Sequence, residues 1–373
     1  MIETLSKKIV NTQKVRLYTE AEPFPFESGA RLGPIDVAFE TYGELNKDGT
    51  NCVLICHALT GNAHAGFYNS ENDKASGWWD GIVGPGKAID TDKYFVVCSN
   101  ILAGCYGTTG PSTMNPATMR EYGTSFPLTT VRDMVRVQKR LLDWLGVERL
   151  ELVIGGSMGG MQVIEWAVMY PDFVANVVPI ATGASHTAWG IGLNEVARQA
   201  IFTDPAYMNG NYYASGQPAR GLALARMIAM MSYRSPESFS LRFQRGRMWD
   251  DDGKGAFDTK NIFQVESYLH YQGVKLVERF DANTYIYITR AMDMHDVARG
   301  RGKIEDVLGS VKGRTMCVGI TSDVLYPAVE QRGLAELIPG ARYEEIQSIH
   351  GHDAFLIEFE QMNRLLVEFL GAD

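Results

Sequence analysis

Residues 150–166 read Leu-Glu-Leu-Val-Ile-Gly-Gly-Ser-Met-Gly-Gly-Met-Gln-Val-Ile-Glu-Trp. An apolar run ends in Gly155-x-Ser157-x-Gly159, and a helix-period stretch, residues 160–170, follows. This is the strand–turn–helix setting of a nucleophile elbow. The turn forces the serine backbone into a strained conformation so that Oγ projects outward, and small flanking residues let strand and helix close on each other. The helix N-terminus behind the serine offers free N–H groups to developing negative charge.

Working outward, further apolar, β-branched runs occur at 37–42, 52–57, 94–99, 177–181, 315–320 and 343–346. Such runs suit strands buried on both faces of a parallel sheet. Residues 130–145 carry Val131, Met134, Val135, Leu141, Leu142 and Leu145 at helical spacing, with Thr129 or Thr130 to cap the start and Gly146 to end it. Strand, helix and strand in this order predict an α/β fold with a mostly parallel, doubly wound sheet. Residues 185–300 read differently. They are rich in Met and aromatics, show helical periods at 222–231 and 263–269, and contain no convincing buried strand. We expect a helical lid, 185–300, inserted into a core formed by 1–184 and 301–373. A separate helical domain is the alternative.

A serine on such an elbow needs an orienting carboxylate and a base, which follow it in the order Ser, Asp, His. Asp323 stands just past the run 315–320, and His350 and His352 both follow 343–346. Spacing alone does not separate the two histidines. An oxyanion hole needs two backbone N–H groups. Met158, after the serine, supplies one, and Leu59, in the loop after 52–57, supplies the other.

The 373 residues carry a net charge of -9 with 45% hydrophobic and 21% charged residues. That excludes a disordered chain and argues against general nucleic-acid binding, which needs a basic stripe. It still permits one local Arg to hold an anionic substrate. Five Cys without a CxxC read as reduced thiols in a cytoplasmic protein rather than a disulfide frame or zinc site. We expect no bound metal. No apolar run approaches the roughly 18–20 residues of a membrane helix, and no signal peptide is evident. Gly81-Ile-Val-Gly-Pro-Gly-Lys-Ala imitates a phosphate-binding loop, but Ala88 replaces the Ser/Thr that would hold Mg²⁺ and no buried strand leads in. Asp250-Asp-Asp reads as a solvated loop, and Met227, Met230 and Met231 as lid packing or tunnel lining.

Taken together these residues resemble the homoserine O-acetyltransferase family of the α/β-hydrolase fold. The resemblance covers nearly the whole chain: Glu40-Thr-Tyr-Gly-Glu-Leu-Asn, Cys56-His-Ala-Leu-Thr-Gly, Gly77-Trp-Trp-Asp, Gly104-Cys-Tyr-Gly-Thr-Thr-Gly-Pro, the elbow, Asn194-Glu-Val-Ala-Arg-Gln-Ala-Ile, Arg279-Phe-Asp-Ala-Asn-Thr-Tyr and Gly351-His-Asp-Ala-Phe-Leu. It implies a two-step transfer with acetyl-CoA as co-substrate and no permanently bound cofactor. Ser157 would be the nucleophile, His352 rather than His350 the base, and Asp323 its partner. It further implies that Arg226 and Tyr233 hold the carboxylate of L-homoserine, that Asp353 faces its ammonium, that Thr60 and Asn62 line the pocket, and that the chain is a homodimer through the lid. Ala229-Met-Met-Ser-Tyr and Asn100-Ile-Leu-Ala-Gly-Cys depart from the pattern of many members. A plain acetyl-ester hydrolase and a succinyl- or serine-specific acyltransferase are the alternatives.

Overall fold

A computed structural model describes residues 7–248 and 262–371; the Asp250–252 run lies outside them. Eight strands form the central sheet: β1 Gln13–Tyr18, β2 Ile35–Tyr42, β3 Cys52–Cys56, β4 Phe95–Ser99, β5 Leu150–Gly156, β6 Val174–Ile180, β7 Arg314–Ile320 and β8 Arg342–Ile346. Their spatial order is β1-β2-β4-β3-β5-β6-β7-β8. From β4 to β8 every pairing is parallel. The β1–β2 and β2–β4 pairs are antiparallel.

The buried strands show why apolar runs predict this sheet. In β3, Cys52, Leu54 and Cys56 join one core cluster while Val53 and Ile55 join the other. Both faces are covered, so alternate residues need no polarity. Helices α1 Val131–Trp144 and α2 Met158–Met169 pack on one face, and α10 Phe359–Gly371 on the other. Thr130 caps α1 in a reciprocal box with Asp133, and Gly146 follows its end at φ +79°. Strand and helix ends fall within a few residues of expectation. The β1 strand escaped the sequence reading: its polar, edge-strand pattern carries few apolar residues.

Between β6 and α8 (Ile304–Gly309) the chain forms α3 Ala188–Phe202, α4 Ala219–Tyr233, α5 Pro236–Phe243, α6 Gln264–Val277 and α7 Ala282–Asp293. Helix α9, Ala328–Leu337, follows β7. Among the described residues this block contributes no strand to the sheet. The phosphate-loop imitation at 81–88 is a series of turns in which Lys87 binds Asp80 and the Ala88 N–H donates to Asn363.

A buried ionic cluster staples the chain where it returns from this block. Glu165 of α2 is 1% exposed and pairs with Arg132 of α1 at 3.1 Å and with Arg301 at 2.7 Å. Arg132 also donates to the carbonyls of Asp296, Val297 and Arg299. Burial pushes the Glu165 carboxyl up, and Arg301 and Arg132 oppose that. Glu165→Ala leaves two guanidinium groups without their shared anion, which costs on the order of 3 kcal/mol when one partner of a buried pair is removed. Urea unfolding checks this, and an unchanged midpoint would show that the cluster contributes nothing net.

Candidate functional site

The sheet places loops at the carboxyl ends of β3, β5, β7 and β8, and β3 and β5 flank the point where strand order reverses. Open α/β sheets bind ligands there. Ser157 follows β5 directly. Its φ and ψ are 60° and -126°, a conformation that a non-glycine residue holds only when its surroundings impose it. The imposing contact is steric. A Cβ at Gly159 would lie 2.1 Å from the Cys56 carbonyl oxygen, and one at Gly155 would lie 2.5 Å from it. Glycine at both positions lets α2 pass over the end of β3.

Asp323 and His352 approach from β7 and β8. Asp323 Oδ1 accepts the N–H groups of Leu325 and Tyr326 at 2.8 and 2.9 Å. Its Oδ2 lies 2.7 Å from His352 Nδ1. The carboxylate therefore assigns the proton to Nδ1 and leaves Nε2 as an acceptor. Nε2 is buried and, among the described residues, has no hydrogen-bond partner. Tyr326 packs on the imidazole with ring centroids 5.3 Å apart, and Phe355 meets it edge-on at 5.7 Å. A Cβ at Gly156 would strike the Phe355 ring at 2.6 Å, so the elbow glycines also seat the histidine's neighbour. His350 takes a different place: its Nδ1 lies 3.3 Å from Arg234.

Ser157 and His352 open into one cavity of about 670 Å³. Leu59, Thr60, Asn62, Arg226, Tyr233 and Asp353 all line it. Every sequence-predicted side chain of the site is thus brought together, apart from Met158. The Met158 side chain is sealed in the core, and its backbone N–H opens α2. Arg226 lies over the Tyr233 ring at 5.4 Å. The same cavity therefore holds a guanidinium and a carboxylate. Among the other lining residues, His64, Trp78 and Arg279 are polar or aromatic and carried no assigned role in the sequence. Arg279 donates to the Thr60 carbonyl at 2.8 Å and so tethers the loop after β3. Among the described residues, no group of three His, Cys, Asp or Glu is placed to hold a metal.

Burial disfavours the protonated form of His352, but the charge and hydrogen bond of Asp323, with Asp353 behind, outweigh it and hold the imidazole pKa above its ordinary value. Burial pushes the Asp353 carboxyl up, while His352, Arg226 and Arg234 pull it back in part. Asp323→Asn removes the main charge that raises His352, so its imidazole should titrate lower than in the unmodified protein. An NMR titration of the His352 ring protons tests this. No fall in the variant, or an unmodified value below the usual ~6.5, would overturn this electrostatic account.

Comparison with known proteins establishes the fold and the family. Residues 51–358 match the family model of the alpha/beta hydrolase fold. The homoserine O-acetyltransferase of Carboxydothermus hydrogenoformans is 50% identical over 97% of this chain and 95% of its own. The crystal structure of homoserine O-acetyltransferase from Bacillus anthracis superposes with a TM-score of 0.91 at 31% identity, over 98% of this chain and 99% of that one. Esterase E22 has a TM-score of 0.88 at 29% identity, over 97% of this chain and all of its own. The chain belongs to the homoserine O-acetyltransferase family of the α/β-hydrolase fold.

Proposed function

We propose that this protein moves an acetyl group from acetyl-CoA to the hydroxyl of L-homoserine through an acyl-Ser157 intermediate, in methionine biosynthesis. One observation carries the reading. A single cavity collects a serine on a strained elbow, a His–Asp pair with a free Nε2, and opposite charges suited to the two ends of an amino acid. The relatives' names supply the substrates.

His352 Nε2 takes the Ser157 proton as Oγ attacks the thioester carbonyl. The tetrahedral intermediate places its negative oxygen against the N–H groups of Leu59 and Met158. Its collapse breaks the C–S bond, and the CoA thiol leaves with the proton from His352. The homoserine hydroxyl then gives its proton to Nε2 and attacks the acyl ester, and the second collapse restores Ser157. A covalent intermediate divides one difficult transfer into two easier ones. Asp323 orients the imidazole throughout. Arg226, with Tyr233 beneath it, receives the homoserine carboxylate as a fork, Asp353 faces the ammonium, and Thr60 and Asn62 form the wall. Acetyl-CoA is a co-substrate, with no permanently bound cofactor or metal.

The acyl group has little room. Behind Ser157 lies a recess of about 20 Å³ bounded by Leu59, Leu193, Ile228 and Met292. That is space for about one water-sized group, which fits an acetyl methyl and opposes a succinyl chain with a charged end. We treat 185–300 as a lid over the core 1–184 and 301–373, and we place the protein in the cytoplasm, in keeping with its five unpaired thiols. The lid also suggests a second copy as partner. Leu224 and Met231 on α4, and Tyr271 and Val274 on α6, are exposed at spacings that put each pair on one helix face.

Purified protein with acetyl-CoA alone should release about one CoA per Ser157 and then stop; sustained CoA release and O-acetylhomoserine should appear only when L-homoserine is present. Ser157→Ala should abolish both while unfolding as the unmodified protein does. Continuing turnover of CoA without homoserine, together with fast cleavage of simple acetate esters, would establish a hydrolase instead. Sedimentation should give twice the 41.4 kDa chain mass, and Leu224→Glu with Met231→Glu should halve it. A monomer before substitution would remove the lid interface.

A further inference from the structure

The two N–H groups assigned to the oxyanion belong to separate segments, the loop after β3 and the first turn of α2. Something must hold them at one spacing. The Gln162 side chain, wholly buried, spans both. Its Nε2 donates to the carbonyl of His57 and to that of Met158, each at 3.2 Å. Its Oε1 accepts from Gln138 Nε2 at 2.7 Å, and Gln138 Oε1 accepts from Trp166 Nε1 at 2.8 Å.

The last member sets the direction of this relay. An indole N–H can only donate. Gln138 must therefore turn its oxygen to Trp166 and its nitrogen to Gln162. Gln162 must then turn its oxygen back and aim its nitrogen at the two carbonyls. Reversing either amide would set like groups against each other.

A second brace acts on the Leu59 peptide itself. The Ile101 N–H lies 3.3 Å from His57 Nε2, so the imidazole proton sits on Nδ1 and is donated to the Ala58 carbonyl at 2.8 Å. The Gly61 N–H donates to the same oxygen at 2.9 Å. That carbonyl and the Leu59 N–H belong to one trans peptide and point opposite ways. Holding the oxygen inward holds the N–H outward, on the side where Leu59 borders the cavity with Ser157. Burial takes the His57 pKa down to about 4, so this donor keeps its tautomer through the neutral range.

We propose that Gln162, directed by Gln138 and Trp166, and His57 are positioning residues that fix the distance and direction of the two oxyanion donors. The proposal rests on the assignment of Leu59 and Met158 above. Oxyanion contacts form as the carbonyl becomes tetrahedral, so disturbing them lowers kcat and spares ground-state binding.

The test compares Gln162→Met, which keeps the length and removes the amide, with Trp166→Phe, which deletes one N–H at the far end of the relay. kcat, both KM values, urea unfolding and the rate of Ser157 modification by a fluorophosphonate would be measured. That reagent puts its phosphoryl oxygen where the oxyanion sits. We expect kcat and modification rate to fall together by about tenfold in Gln162→Met, less than the ~10²–10³ for outright loss of a donor. Trp166→Phe should fall less in both, with KM nearly unchanged in each. His57→Asn, which keeps a donor near Nδ1, should retain more kcat than His57→Leu. Folded Gln162→Met and Trp166→Phe variants with unaltered kcat and modification rate would overturn the relay. An unmodified protein inert to the reagent would instead overturn the acyl-serine reading beneath it.

Discussion

One close approach governs the reactive end of the sheet: the carbonyl of Cys56 occupies the space that side chains at Gly155 and Gly159 would need. Because β5 and α2 are pressed this tightly against the end of β3, the turn between them has no relaxed conformation for Ser157. The same approach sets the loop after β3 beside the first turn of α2. A strained serine and a pair of converging backbone donors are therefore two results of one packing contact. A methyl group at either glycine would part the segments and dissolve both, whatever the remaining residues did.

The features legible in the sequence share a physical basis. Buried parallel strands must be apolar on both faces, so β3 to β7 stand out as runs, and helix α1 announces itself through its cap and stripe. The elbow is legible because sterics demand glycine at fixed offsets from one serine. Asp323 and His352 are found by chain order and strand ends, but the choice against His350 needs either a family likeness or the 2.7 Å contact to Asp323. Other features have no local signature. Ten of the twelve residues of α7 are buried, so it shows no polar face to betray its period. The Glu165–Arg132–Arg301 cluster joins residues far apart in sequence, and nothing near any of them marks a partner. Gln162 and His57 lie inside readable motifs, yet their use depends on which groups meet them in space.

Charge follows the same division between global and local. The chain is acidic overall, yet its cavity presents Arg226 on one side and Asp353 on the other. Net charge governs approach and solubility. Selection of a zwitterion is decided over a few ångströms, where burial strengthens each interaction and raises the cost of leaving it unmet. Asp353 adjoins His352 in sequence, so the group proposed to face the acceptor also helps hold the imidazole pKa above its ordinary value. On the proposed role of Asp353, substrate recognition and base strength are coupled through one short 3₁₀ turn, Gly351–Leu356.

The family's transferases and the structurally similar esterase pose the question of what makes an acyl-serine wait for an alcohol. A Ser–His–Asp triad by itself cannot decide it, since an imidazole base activates water as readily as a hydroxyl. The difference must lie in which nucleophile reaches the ester first. On the proposed mechanism the acyl group has a recess for about one water-sized group, lined by Leu59, Leu193 and Met292 and also by His186, Asn194 and Ser232, and His352 Nε2 is buried. The remaining approach runs through the cavity that Arg226 and Asp353 flank. An acceptor bound at both ends occupies that approach and brings its own hydroxyl, converting a bimolecular encounter into a local one. If Arg226 and Asp353 hold homoserine as proposed, transfer over hydrolysis follows from occupancy: the charged groups that select the acceptor are also the ones that displace the competing water.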